Sequence, residues 1–490
     1  MKAILSYHKY KYYPYEYDLA EREIRSLLGT QPINTQKDSV ELVDIDPSKV
    51  DRLTYFSQVC HNDVTSPTKQ FLLESSETRH RRQSTRYSVH GLHEYKGKFN
   101  PQIAKSLLNI CGMDSGCRVL DPFCGSGTTL VEAVQMGANA QGYDINPFAI
   151  FVSNSKLQAL KTDAEFLRQI FQSIQDHYFS TVRRKLVEDE RIIYLKKWFN
   201  TENLIDIECL KNSINKKAGG HSQIFLTIAS NLLRDYSMQD PKDLRIRRRK
   251  SPLPDKSIID AFIEECERFL SRLVAAQEVI GKGIGQGQAS LTDTSLSQPT
   301  NRFLFDAAIT SPPYAMALPY IDTQRLSLVW LGIENSQNIA ELESTLIGSR
   351  ELRGVRKEAE RRLIENTHNI PTEQLELCRS TMAALSSADG FRRQAVPTLL
   401  YRYFAAMQAS FKSIISQIKV GGKYYLVVGH NHTVLGGQRF DIDTPTHLAS
   451  LARNTGWIVD EMIPLQTYQR WGYHSANAVA AETLVSLSRP

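Results

Sequence analysis

The stretch DPFCGSGTTLVEA, Asp121 to Ala133, limits the fold more than any other. CRVLDPF reads as a strand that runs into a turn containing Gly125 and Gly127, and TTLVEAVQMG reads as a helix closed by Gly137. Glycine belongs where the backbone turns with φ above zero or must approach a ligand closely. Thr128 and Thr129 stand where a helix start needs caps. A second strand, NAQGYDI, carries Asp144 at its end, with Asn146 just beyond. Strand, turn, helix, strand is the pattern of an α/β domain with a parallel sheet. In such sheets an acidic residue about 20 positions after the glycines holds a ribose hydroxyl pair. The competing reading is an ordinary glycine turn beside a surface aspartate.

The second constraint lies far downstream. Phe305 to Ile309 reads as a buried strand, and TSPPYAMALPY then begins at Thr310. Proline has no N–H to donate to a ladder, so the chain must leave the sheet there. Ligands of this architecture sit beyond the carboxyl ends of the strands. Asp121, Asp144, Asp293 and Ser311 all fall at such ends, so the Ser311-Pro312-Pro313-Tyr314 turn should face the same crevice as the glycine turn. A rigid turn fixes the Ser311 hydroxyl and the carbonyl of Ser311 or Pro312 as acceptors for an exocyclic amino group. Tyr314 adds a face on which a flat ring can stack. An enzyme that modifies a base must extrude it and hold it by such contacts.

Seven strands of one sheet are predicted: CRVLDPF, NAQGYDI, ASLTD, FDAAIT, KYYLVVG, GWIVDEMIP and ETLVSLS. A chain of 490 residues is too long for one ordinary core. Residues 1–80 read as a small α/β domain with strands AILSY and SVELVDI and a helix YDLAEREIRSLLG. The polar, basic SSETRHRRQSTRYSVHG is a linker. Residues 81–150 form the first part of the Rossmann-like α/β domain, and 151–285 a helical insertion. In that insertion FLRQIFQSIQDHYFSTVRRKLV and KSIIDAFIEECERFLSRLVAAQEVI have helical apolar spacing. The stretch 281–300 is a flexible return to the sheet. Residues 286–335 form the second part of the domain, 336–395 a charged helical insertion, and 396–490 the C-terminal part. No apolar run is long enough to span a bilayer, and the N-terminus has no signal-peptide core. The seven cysteines are scattered with no C-x-x-C pair, which points to reduced thiols in a cytoplasm and away from disulfides or structural zinc.

DPFCGSGTT, GYDINP and TSPPY resemble motifs I, II and IV of the S-adenosylmethionine-dependent DNA amino-methyltransferases. HEYKGKF, His93 to Phe99, resembles the segment these enzymes close over the methionine end of the cofactor. The resemblance covers roughly 90–150 and 289–330. It implies a seven-strand Rossmann-like methyltransferase sheet, S-adenosylmethionine as cofactor, double-stranded DNA as partner and no metal. It also admits a cognate restriction endonuclease. Phe99, Asp121, Phe123, Gly125, Gly127, Thr128 and Asn146 would surround the cofactor, Asp144 would hold its ribose, and Asp293 is a candidate for its adenine amino group. Ser311, Pro312, Pro313 and Tyr314 would hold the target base. Cys124 reads as packing or a cofactor neighbour, since amino methylation needs no thiol nucleophile. Ser-Pro-Pro-Tyr is most typical of cytosine-N4 enzymes, with adenine-N6 second. Many cytosine-N4 enzymes place that motif before the glycine motif, and here it comes after. A family of tRNA guanine-N2 methyltransferases shares the glycine-first order and the DPFCG pattern, so it stands as the alternative. A non-enzymatic nucleic-acid-binding protein is the third reading.

The net charge of +6 is modest, but basic residues cluster. Arg245, Arg247, Arg248, Arg249 and Lys250 lie in DPKDLRIRRRKSP, and Arg81 and Arg82 in TRHRRQSTR. Phosphates would relieve their repulsion, giving affinity without base identity. The competing reading is a solvated charged loop. IGSRELRGVRKEAERR is a further basic strip. His430 and His432, in GHNHTV, read as a polar strand-end loop and not as metal ligands. Trp471 and Tyr473 either stack on a base or pack.

Overall fold

The computed structural model describes residues 2–75, 83–296, 303–315, 320–349, 356–466 and 481–490. Two sheets dominate. The first is antiparallel and N-terminal, built from β1 (Lys2–Tyr7), β2 (Asn34–Thr35), β3 (Ser39–Val43), β4 (Phe56–His61) and β5 (Val64–Pro67) in the order β2-β3-β1-β4-β5. The sequence shows only β1 and β3, whose alternate residues are buried. β5 is exposed at all four positions and ends in Pro67 at the sheet edge, so it carries no apolar pattern. The predicted helix is present as Pro14–Glu23 and continues as a π-turn, Ile24–Leu28, closed by Gly29 at φ +66°.

The second sheet has seven strands: β6 (Arg118–Asp121), β7 (Asn139–Asp144), β8 (Gly287–Leu291), β9 (Phe305–Thr310), β10 (Ile418–Gly429), β13 (Ile458–Gln466) and β14 (Ala481–Ser488). β11 (Asn431–Leu435) and β12 (Gln438–Ile442) form a separate hairpin. The order is β13-β14-β10-β9-β6-β7-β8. The strands from β8 to β10 pair in parallel, and β14 runs antiparallel to both of its neighbours. This is the Rossmann-like α/β class that the strand–turn–helix alternation predicts. Helices cover both faces, and successive strand residues divide between two apolar clusters: Val119, Ala307 and Val427 belong to one, Leu120, Ala308 and Leu426 to the other.

The first cluster is continuous from the N-terminal sheet, through Leu130 and Val131 after the glycine turn, to Phe225 and Phe262 of the helical insertion. The N-terminal unit also meets the rest of the chain through polar contacts, one buried and one partly exposed. Glu23 accepts from the Thr54 amide and hydroxyl and from Asn109 Nδ2, and Arg22 makes a two-point contact with Glu461 at 2.5 and 3.0 Å.

The insertion helix predicted to run from Phe166 through Val187 instead spans Ala164–Ser180. Beyond it Val182 and Val187 are exposed, and TVRRKLV has no apolar face to bury. GHNHTV is not a strand-end loop, because Asn431–Leu435 is paired with Gln438–Ile442. Among the described residues, no helix is long and apolar enough to cross a membrane. Arg81, Arg82, Trp471 and Tyr473 lie outside the described residues.

Candidate active site

The glycine turn leaves β6 at Asp121. Gly125 and Gly127 sit at φ +48° and +79°, the left-handed region that side chains disfavour. Gly127 also has no room, since a Cβ there would lie 2.9 Å from Ser153 Oγ. Ser153 donates to the Gly125 carbonyl at 2.7 Å, and buried Lys156 donates to the Ser126 carbonyl at 2.9 Å. Both come from the helix Pro147–Lys161, three residues apart on one face. Burial holds the Lys156 ammonium well below the usual lysine range. The sequence reading missed this pair. Its signal was two polar residues at i, i+3 on the inward side of a mostly buried helix.

Thr128 and Thr129 do not cap the helix that follows. Its N-cap is Gly127, with no side-chain cap bond, and the Thr129 hydroxyl donates instead to the Ile309 carbonyl at 3.1 Å. Asp121 does not line the cleft. It is buried beneath the turn, accepting from Thr310 Oγ1 at 2.6 Å and the Phe123 amide at 3.2 Å, and burial pushes its carboxyl up to about 7. Asp121 and Thr129 thus bind the glycine turn to the end of β9, next to Ser311.

Asp144, at the end of β7, lies at the cleft wall. One carboxylate oxygen accepts from the Gly125 amide at 2.9 Å and the other from the Asn146 amide at 2.8 Å. Burial raises its carboxyl to about 6, against the opposing pull of these N–H groups. Asn146 caps the next helix through Phe148 N and donates to Gln324 Oε1. Cys124 is buried, and its Cβ lies 2.8 Å from where a Cβ on Gly142 would stand, so the turn packs on β7 only because Gly142 lacks a side chain.

An open cleft joins these parts. Its walls include Phe99, Phe123, Gly125, Thr128, Asp144, Asn146, Asp293, Ser311 and Pro313 among the predicted residues. Asp121, Gly127, Pro312 and Tyr314 are not on its walls. Tyr95 and Lys98 also line it, as do Leu346 and Ile347, which the sequence places in a charged insertion with no cofactor role. Asp293 accepts from the Ser295 amide and hydroxyl at 2.8 and 2.6 Å. His93 is buried edge-on against Phe148, and burial brings its imidazole down to about 4, so it is neutral.

On the other side of the cleft the chain leaves β9 into Ser311-Pro312-Pro313-Tyr314. The Ser311 hydroxyl donates to the Val427 carbonyl at 3.0 Å. A hydroxyl has one proton, so any further hydrogen bond of the Ser311 oxygen is one it accepts. Tyr403 donates to the Pro313 carbonyl at 3.0 Å, and Tyr314 donates to Glu482 Oε1 at 2.6 Å.

The predicted phosphate-binding loop divides by role. Arg247 pairs with Asp243 at 3.1 Å. Arg248 donates to the Lys197 carbonyl and lies over Trp198, and Arg249 donates to the Asp235 and Ser237 carbonyls. Arg245, Arg247, Arg248 and Lys250 are exposed, and Arg249 is half-buried. The loop borders the helix that follows the Ser-Pro-Pro-Tyr turn, because Gln239 donates to the Asp322 carbonyl. His430 contacts Thr483 and Asp443, and no cluster of three metal-binding side chains occurs among the described residues.

The cleft suits S-adenosylmethionine. It offers acceptors for a diol and an amino group, aromatic walls, and a turn whose glycines leave its backbone open. Sequence comparison agrees. A family model described as UPF0020, RMKL-like, methyltransferase domain, matches residues 92–191, which hold the glycine turn and Asp144. The matched segment is similar to a methyltransferase domain, and the cofactor of the site is S-adenosylmethionine. The chain is similar to the type II methyltransferase M.MjaII of Methanocaldococcus jannaschii, 37% identical over 27% of this chain and 24% of that protein. It is 26% identical to the type II methyltransferase M.MvaI of Kocuria varians over 54% of this chain and 63% of that protein. A tRNA (guanine(10)-N2)-dimethyltransferase of Methanothermobacter thermautotrophicus is 39% identical over 15% of this chain and 22% of that protein. The chain spans less than two thirds of the length of each.

Proposed function

We propose that the protein is a site-specific DNA methyltransferase that methylates the exocyclic amino group of a flipped-out base, cytosine N4 in the first instance and adenine N6 in the second. The observation that carries this reading is the Ser311 hydroxyl at the cleft wall, which donates its proton to the Val427 carbonyl and so can make any further bond only as an acceptor.

S-adenosylmethionine, when bound, supplies a methyl group already activated on a sulfonium. Asp144 would accept from its ribose hydroxyls and Asp293 from its adenine amino group, and Phe99 and Phe123 would give the cleft its apolar walls. The amino nitrogen of a nucleobase is a poor nucleophile because its lone pair is conjugated with the ring. Ser311 Oγ, on the cleft wall, and the Pro312 carbonyl, between the two wall residues Ser311 and Pro313, accept its two N–H groups, draw that lone pair out of conjugation and aim it across the cleft. Tyr314, next in the chain to the wall residue Pro313 and not itself on the cleft wall, stacks on the base as it is extruded. Positioning therefore carries much of the rate. The Pro313 carbonyl already accepts one hydrogen bond, from Tyr403 at 3.0 Å. Arg245 and Lys250 hold the phosphate backbone beside the cleft without reading bases.

The similarity to the tRNA methyltransferase favours a second reading, guanine N2 in RNA. It covers far less of this chain than the similarity to M.MvaI, so DNA is preferred. Single-molecule sequencing of DNA from cells expressing the protein, beside a Ser311→Ala control, tests the choice. A fixed motif carrying N4-methylcytosine is expected. N6-methyladenine would change the base but keep the mechanism. Unmodified DNA together with new N2-methylguanosine in tRNA would replace this reading by the second.

A further inference from the structure

Tyr314 is held in a seat that none of the sequence motifs contains. Its phenol donates to Glu482 Oε1 at 2.6 Å, and Glu482 lies on β14, 168 residues away along the chain. Its ring lies on Gly429, the last residue of β10. A Cβ at Gly429 would stand 2.6 Å from Tyr314 Cε2 and 3.0 Å from Cδ2, closer than atoms can approach. Gly429 and Glu482 are direct partners in the antiparallel β10–β14 pair. Directly opposite residues project to the same face of a sheet. The missing side chain at Gly429 therefore opens the space the ring fills, and the carboxylate beside it catches the hydroxyl. Behind Tyr314, Gly348 sits where a Cβ would lie 2.7 Å from the Tyr314 carbonyl oxygen.

We infer that Gly429 and Glu482 are positioning residues for Tyr314, fixing the plane of its ring so that it meets an extruded base face to face. This rests on the reading of Tyr314 as the stacking surface for the target base. A tyrosine at the end of a Pro-Pro turn has two free side-chain torsions. A base held by hydrogen bonds at its amino group has its plane already set, so a ring free to rotate would stack in only part of its conformations. A tether at the hydroxyl and a floor under the ring remove that freedom in advance. Glu482 is not on the cleft walls, and it acts through Tyr314.

The test uses the full chain with fluorotyrosine placed at position 314, read by fluorine NMR, together with steady-state methylation of the motif found by sequencing. Glu482→Leu and Gly429→Ala should each move the fluorine resonance. Glu482→Leu should lower kcat about 10-fold, as expected for a lost hydrogen bond to a charged group, with the KM for S-adenosylmethionine unmoved. Glu482→Gln keeps an acceptor and should stay within about 3-fold of wild type. The losses from Glu482→Leu and Tyr314→Phe should not add, because both remove the same bond. A fluorine resonance unmoved by Glu482→Leu, or fully additive losses, overturns the inference. A wild type that methylates no DNA, while the resonance still moves in both variants, supports the seat and breaks the functional reading instead.

Discussion

The two halves of the cleft are built in opposite ways. The cofactor half is built mainly from one stretch of chain: the glycine turn, Asp144 and Asn146 follow one another, backbone amides of Gly125 and Asn146 fix the Asp144 carboxylate, and Asp121 and Thr129 tie the turn to β9. The target half is assembled at long range. Ser311, Pro313 and Tyr314 are held by Val427, Tyr403 and Glu482, which lie 90 to 168 residues away. A local turn can take its shape from its own glycines. The Pro-Pro turn has few backbone donors, so its geometry depends on β10, β14 and the helix Val396–Ile415 closing around it. Damage to the C-terminal strands should therefore impair methyl transfer before it impairs cofactor binding.

Removing one group from each half tests this contrast most severely. Ser311→Ala should lower kcat by about 100-fold or more, the usual cost of losing a group that acts on developing charge. Cofactor affinity measured by calorimetry should barely change. Equal losses in affinity and turnover would mean the halves are not separable. Asp144→Asn should do the reverse, weakening S-adenosylmethionine binding by about 10- to 100-fold, in line with a charged acceptor of hydrogen bonds.

The pH dependence sharpens the same comparison, because the raised carboxyl at the cofactor wall is Asp144. Its folded value of about 6 lies above the ordinary aspartate value. Burial thus favours the protonated form, and the stability this contributes is present below about pH 4 and lost as pH rises through 6. Binding runs the other way, since two ribose hydroxyls need an ionised acceptor. Cofactor affinity of the wild type should fall as pH drops below about 6, and Asp144→Asn should flatten that fall. In thermal melts without cofactor, Asp144→Asn should gain relative to wild type on going from pH 5 to pH 8. The difference between the two proteins is the quantity to read, because buried His93, depressed to about 4, loses stability as pH falls. A difference that stays constant with pH would show that Asp144 titrates normally.

What was legible in the sequence follows the same division. All seven strands of the large sheet could be read, because each has buried residues bounded by turns. Asp144, Asp293 and Ser311 could be placed at strand ends, and they line one cleft. Asp121 shows the limit of that rule: it also ends a strand, yet it turns inward to Thr310. β5 escaped notice because an exposed edge has no pattern, and the helix over Phe166–Val187 was drawn too long because charge was read as a helix face. Leu346, Ile347, Tyr403 and Glu482 carried no local signal at all. Their roles arise only when distant segments meet.

The basic loop gives the smallest effect and the same lesson within a few residues. Five cations look alike in RIRRRK, yet Arg249 is bonded to two backbone carbonyls while Arg245 and Lys250 are exposed. On duplex DNA, Arg245→Ala and Lys250→Ala should each reduce the slope of log affinity against log salt by about 1, with a loss of only a few fold in affinity. Arg249→Ala should leave that slope unchanged and lower the melting temperature, since the Asp235 and Ser237 carbonyls lose a donor worth about 1 kcal/mol. If Arg249→Ala reduces the salt slope at full thermal stability, the guanidinium leaves those carbonyls for phosphate on binding. The loop would then be reshaped by DNA, unlike the Ser-Pro-Pro-Tyr turn, whose tethers are in place before any substrate arrives.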